Sequence, residues 1–247
     1  MNQPLHLTPD ASAHAPRLDL YAPIHKALRA WMFDTLVAVG QTDGLDDAQL
    51  ERTLGRVAAL LGVCQQHILH ESEFMHPALA ACGAKAPLKA DLEHDEHHHA
   101  MAGLLTQVQV VRAAQAAERL PALTQLYRQL ALFVADNLTH MHLEETAHNE
   151  WLWGRFSDPE LGALHDRLVQ SIPPQEMAGV LRWMLPAVSH TERLGMLQDM
   201  RSKMPPGAFE GVLQLAQDTL PVMDWAALLR GLGLQPCLPQ GALTVVG

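Results

Sequence analysis

The chain has 247 residues, 48% apolar and 18% charged, with a formal charge of −10. Such a chain can bury a sizeable core and is poorly suited to disorder, and its acidic balance excludes the basic face that nucleic acid requires. Cys64, Cys82 and Cys237 are far apart and form no CxxC pair, which excludes a disulfide framework and a thiolate zinc site and suits a reducing cytoplasm. No run approaches the roughly 18 apolar residues that span a bilayer, so no membrane partner is expected.

Residues 1–17, with Pro4, Pro9 and Pro16 and no apolar h-region, read as a flexible arm rather than a signal peptide. The remainder reads as all-α. A first helix is expected from Leu18 to Val39, ending at Gly40 before Thr42-Asp43-Gly44. A second begins at Asp46 or Asp47, either of which can cap it, and continues to Ala81. Cys82-Gly83 and Pro87 mark a turn, and a third helix runs from Leu88 to Glu118. A fourth begins near Pro121 and ends at Trp153, with Gly154 as its stop. Four long helices with short connections predict an antiparallel up-and-down four-helix bundle over residues 18–153.

From residue 154 the pattern changes to short helices, a C-terminal appendage reaching residue 247. Ser157-Asp-Pro-Glu160 and Ser189-His-Thr-Glu192 fit the capping box, and Pro173-Pro174, Pro205-Pro206 and Pro221 open other short helices. Leu234–Gly247 reads as a loose tail. No convincing internal repeat is visible. The appendage has no phosphate loop, second metal motif or basic recognition helix, and is expected to shield the bundle or form a homodimer face.

Fifteen histidines are the compositional outlier, and ten of them lie between His67 and His148. Three helices carry a ligand pair four residues apart: His67 with Glu71, His94 with His98, and His140 with Glu144. One helical turn separates such residues, so each pair points the same way. His25 stands alone on the first helix. The pairs lie on otherwise apolar stripes: Val57, Leu60, Cys64, His67, Glu71, Phe74, Ala78; His94, His98, Met101, Leu105, Val108; and Phe133, Asn137, His140, Glu144, Ala147, Trp151. Leu18, Tyr21, His25, Leu28 and Met32 form the first helix's stripe. Imidazole and carboxylate on a core face are costly unless paired or bound to metal. With turns near Ala84 and Arg119, the pairs fall at similar levels, so all seven side chains are expected to serve one metal centre. A single such histidine is more often a satisfied core residue; it is the convergence that favours metal.

His70 and His76 compete with His67 if the helix phase differs. His97, His99, His142 and His148 flank the stripes as solvated or outer-layer groups, and His165 and His190 are expected at the surface. Glu73-x-x-His76 and Glu145-x-x-His148 match the Glu-x-x-His motif of ferritin-like di-iron bundles, but the first helix lacks the glutamate that architecture needs.

A lone histidine on helix 1, His67-Ile-Leu-His-Glu71 with Pro77 on helix 2, histidines on helix 3 and His140-Met-His-Leu-Glu-Glu145 on helix 4 resemble the hemerythrin-like, HHE cation-binding family. The resemblance covers Leu18–Trp153 and departs at Asn149-Glu150-Trp151, where that family usually has Leu-Phe-Pro. It implies a non-haem di-iron centre bridged by Glu71 and either Glu144 or Glu145, with His25, His67, His94, His98 and His140 as terminal ligands. Helix 3 would supply one histidine or two, His98 being the one expected if only one binds. Manganese or zinc would suit the same donors. The implied small ligands are O2, NO or peroxide. Binding or sensing is the first expectation; a redox or iron-handling enzyme and a helical module with a structural metal are the alternatives.

Overall fold

The computed structural model describes residues 17–83 and 86–234, with side chains from residue 94 onward in the second segment. The expected arm before Arg17, the tail after Leu234 and Cys237 lie outside the described residues. The described chain is helical, with no strand, and none of its helices is long and apolar enough to cross a membrane.

Helix α1 (Ala22–Gly40) starts four residues later than the sequence suggests, because Asp19 Oδ1 accepts the N–H groups of Tyr21 and Ala22 at 2.9 and 3.0 Å. Asp46 caps α2 (Asp47–His70) by accepting the Gln49 N–H. Helix α2 runs without a break through a wide turn, Glu71–Met75, into α3 (His76–Ala81). Gly83, at φ +71°, then supplies the left-handed residue that follows a helix end. Helix α4 spans Ala86–Ala113, and α5 (Ala116–Leu143) continues through a second wide turn, Glu144–His148, into α6 (Asn149–Arg155).

The turn between α4 and α5 is at Ala114–Gln115, earlier than the expected Glu118–Pro121. Gln115 is extended, and its carbonyl accepts the N–H groups of Glu118 and Arg119, so the new helix is already under way when Pro121 is reached. The alanine-rich approach carries no turn signal, and the proline was a misleading one. Arg119 pins this end by donating to the Gly44 and Ala114 carbonyls and to Asp47.

Each of α1, α2, α4 and α5 packs against two of the others in the cyclic order α1–α2–α4–α5. Their inner faces build one core that includes Leu28, Met32, Leu54, Val57, Leu60, Cys64, Leu104, Val108, Leu130 and Phe133. Burying a large aliphatic side chain contributes about 2 kcal/mol, so this core dominates the stability of the region.

The two wide turns are π-helical. His76 N–H bonds to Glu71 O and Asn149 N–H bonds to Glu144 O, five residues back rather than four. Each turn admits one extra residue, so the buried stripe slips by one position beyond it. After Glu71 the buried residues are Met75, His76 and Leu79, with Phe74 and Ala78 only half-buried. After Glu144 they are His148, Asn149 and Leu152, while Trp151 is exposed.

Five short helices follow: α7 (Asp158–Ser171), α8 (Pro174–Ala187), α9 (His190–Lys203), α10 (Pro206–Thr219) and α11 (Val222–Gly231). Their first residues are sixteen apart throughout, a regularity that proline and serine starts of differing chemistry hide in the sequence. Ser157-Ile172 and Ser189-Met204 thus each make one helix and its connection, and Gly179-Val180-Leu181 recurs as Gly211-Val212-Leu213. Both serines are capping-box residues: Ser157 and Ser189 each donate their N–H to the glutamate three residues on, at 2.8 Å. Helix α10 packs on α8 and α11 on α9, around Leu181, Leu185, Leu197, Phe209, Val212 and Leu228. The array joins the long helices where α8 lies along α1; Trp183 stacks on Trp31 at 5.0 Å and Lys26 pairs with Glu192 at 2.5 Å.

Candidate metal centre

Four helical runs each deliver polar side chains to one buried level. Helix α1 brings His25, α2 brings His67 and its end Glu71, α4 brings His94, and α5 brings His140 and its end Glu144. Their potential ligand atoms fall into two compact groups: His25, His67, Glu71 and Glu144, and Glu71, His94, His140 and Glu144. In each group the atoms lie within 4.8 Å of one another, and both carboxylates belong to both groups. His25 Nε2 lies 3.8 Å from Glu71 Oε1 and 3.4 Å from Glu144 Oε2. His67 Nε2 lies 3.1 Å from Glu71 Oε1, His94 Nε2 lies 3.5 Å from Glu71 Oε2, and His140 Nε2 lies 3.3 Å from Glu144 Oε1.

These distances do not amount to a hydrogen-bond network. His25 Nε2, His67 Nε2, His94 Nε2, both Glu71 oxygens and Glu144 Oε2 are buried without a hydrogen-bond partner. Each such atom costs about 1–3 kcal/mol when left unmet. The atoms crowd within 4.8 Å of one another in each group, an arrangement that a cation can satisfy. Each group of donors could hold a metal ion, and the two groups share both carboxylates.

An outer layer orients the imidazoles. His25 Nδ1 lies 3.1 Å from Glu145 Oε1, and an ionised carboxylate can only accept, so Nδ1 carries the proton and Nε2 faces the centre. Arg29, one turn further along α1, grips Glu145 with two bonds of 2.6 and 3.0 Å. His94 Nδ1 lies 3.2 Å from Ser72 Oγ, a hydroxyl that can donate or accept. Glu145 is thus placed behind His25, while Glu144 is in both ligand groups.

Burial acts to lower the His25 pKa, but Glu145, Glu71 and Glu144 outweigh it and raise the group to about 9. Burial acts to raise Glu71, and the adjacent imidazoles of His67, His25 and His94 outweigh it, so its carboxyl is held well below the usual range. Burial likewise opposes, and His25 and Arg29 overcome it, in lowering Glu145 to about 2. In the metal-free protein, protons on imidazole do part of the work of a cation. Cys64, one turn before His67, is different: burial pushes its thiol up to about 12, so it acts as core packing.

No protein-family model, curated protein or solved structure matches the chain. The chemical reading of the centre therefore rests on its geometry.

Six of the seven expected ligands converge: His25, His67, Glu71, His94, His140 and Glu144. His98 is in neither group and is half-buried, whereas His97 is buried, with its ring 4.9 Å from that of His140. The reason is helix phase. At about 100° per residue, positions 97 and 98 fall on opposite sides of position 94. Leu104, Val108 and Val111 are buried and Leu105 is exposed, which centres the stripe on the side of His97. Reading Leu105 as core moved the stripe to the wrong edge.

The π-turns were also missed, and they begin at the two shared glutamates. On α2 the sequence does hold a signal, since Pro77 has no N–H with which to continue a regular ladder. On α5 the only trace is the slip of the buried stripe from Ala147 and Trp151 to His148 and Leu152. His76, stacked on His94 at 4.8 Å, and His148, 1% exposed, are buried beside the centre. His99, His142, His165 and His190 are exposed, as expected of them.

Proposed function

We propose that this chain is a hemerythrin-like protein whose long helices form an antiparallel up-and-down four-helix bundle around a non-haem di-iron centre that binds or senses O2, NO or a related small oxidant. The observation that carries the reading is the pair of buried carboxylates, Glu71 and Glu144, shared by two groups of ligand atoms. A mononuclear or purely structural site has no use for two such groups. Four imidazoles and two carboxylates suit iron, and manganese or zinc would accept the same donors. Iron in this setting supplies reversible binding of small diatomic ligands at positions that the protein leaves free. The chain's own residues would hold the metals, with Glu145 keeping His25 in one tautomer and the apolar core excluding bulk water.

The placement of His98 favours a second reading. With one α4 imidazole fewer than expected among the converging atoms, the centre is more open, which suits a redox or iron-handling enzyme. Adding NO or O2 to reduced, iron-loaded protein tests the first reading: a new visible absorption band, formed once per centre, is expected. No spectral change would remove that reading. Sustained turnover of peroxide or NO would transfer the assignment to the second.

A further inference from the structure

Tyr21 lies one helical turn before His25, at the point where α1 begins. Its ring is 2% exposed and packs 5.5 Å from the His25 ring and 6.1 Å from the His148 ring. The remaining wall is apolar, formed with Met75, Leu79, Leu152 and Leu161. Inside this wall the phenol Oη is buried and has no hydrogen-bond partner. In the metal-free protein, burial, then the charges of Glu144 and Glu71, raise its pKa well above the ordinary value.

A buried phenol without a partner is worse for stability than the phenylalanine of the same shape. Its position offers a reason for the hydroxyl. It stands beside the only described imidazole contributed by α1, near both shared carboxylates, which are themselves acceptors already committed to the centre. What the site lacks is an acceptor for this O–H, and a small anion held at the two metals would supply one. The geometry points to Tyr21 as the hydrogen-bond donor to a small anionic ligand of the azide or peroxide class at the centre, which makes it a ligand-selecting residue and not a metal ligand. An apolar wall disfavours a hydrated anion. This inference rests on the dinuclear reading above.

The test compares the full chain with Tyr21→Phe, using azide as probe. Both proteins are loaded anaerobically with iron, oxidised and titrated with azide, and their metal-free forms are melted in parallel. Tyr21→Phe is expected to keep the wild-type iron stoichiometry, to melt at the same or a higher temperature without metal, and to bind azide about tenfold more weakly, as loss of about 1.4 kcal/mol requires. The vibrational band of bound azide should shift in D2O for the wild type and not for the variant. Equal azide affinity in the two proteins, or no azide binding by iron-loaded wild type, would overturn the inference and leave the dinuclear reading standing. A lower metal-free melting temperature would show that the hydroxyl already serves the fold. Loss of a visible charge-transfer band before azide is added would make Tyr21 a metal ligand. Either result overturns it. Wild type that takes up fewer than two metals would overturn this inference and the reading beneath it together.

Discussion

The long helices and the C-terminal array treat buried polar groups in opposite ways. In the array the one charged residue in the core is Arg193, and it donates to the carbonyls of Leu185 and Val188 at 2.7 and 3.0 Å. Those are C-terminal carbonyls of α8, which have no partner within their own helix. Arg193 is therefore a fully employed structural group. Among the long helices, by contrast, Glu71, Glu144, His25, His67 and His94 are buried with atoms that make no well-formed hydrogen bond and meet one another as ion pairs. A fold under pressure only for stability would place leucine at such positions. The contrast sets a region whose buried polar atoms could hold a metal apart from one whose buried charge is satisfied by backbone carbonyls.

The largest effect that separates the two regions should come from Glu71→Ala. Losing a carboxylate common to both ligand groups is expected to cost more than 100-fold in metal affinity, above the 10- to 100-fold typical of outer-layer changes. Calorimetric titration would read it, and the C-terminal array should be untouched. Arg193→Ala is the mirror image: it strands two buried carbonyls and should cost about 3 kcal/mol of stability in chemical denaturation, with metal stoichiometry unchanged. A drop in metal content instead would mean that the array helps to hold the centre.

A pH series sharpens the same comparison. His25 titrates near 9 in the folded metal-free protein and near 6.5 when unfolded. Its contribution is therefore fully present below pH 6.5 and is lost as pH rises through 9, an effect of about 3 kcal/mol. Metal-free protein should lose that stability over this window, while metal-loaded protein, with Nε2 occupied, should not. The smallest effect is expected where the regions meet. The hydrogen bond from Lys26, then those of Ser189, hold Glu192 at about 2. Its contribution is present above the usual carboxylate pKa and fades as pH falls through 2. The pair is partly exposed, so Glu192→Gln should cost about 0.5 kcal/mol at neutral pH.

Much of this was legible in the sequence, and the omissions have physical causes. The i,i+4 pairs on α2 and α5 were readable because a regular helix extends up to each glutamate. Beyond Glu71 and Glu144 the α-helical period no longer holds, so extrapolating it misplaced Phe74, Ala78, Ala147 and Trp151. On α4 the error was one residue of phase, which exchanged His97 for His98. The outer layer was hidden for another reason. Arg29 and Glu145 are 116 residues apart, and only the packing of α1 against α5 brings them together. The sixteen-residue spacing of the short helices was present but masked, since serine caps and proline starts mark the same position with different residues.

The central claim is that two metal positions share Glu71 and Glu144, and anaerobic titration of metal-free protein with Fe(II), with bound iron counted after desalting, tests it most directly. The account predicts saturation at two irons per chain. Saturation at one iron, or no retained iron, would contradict it.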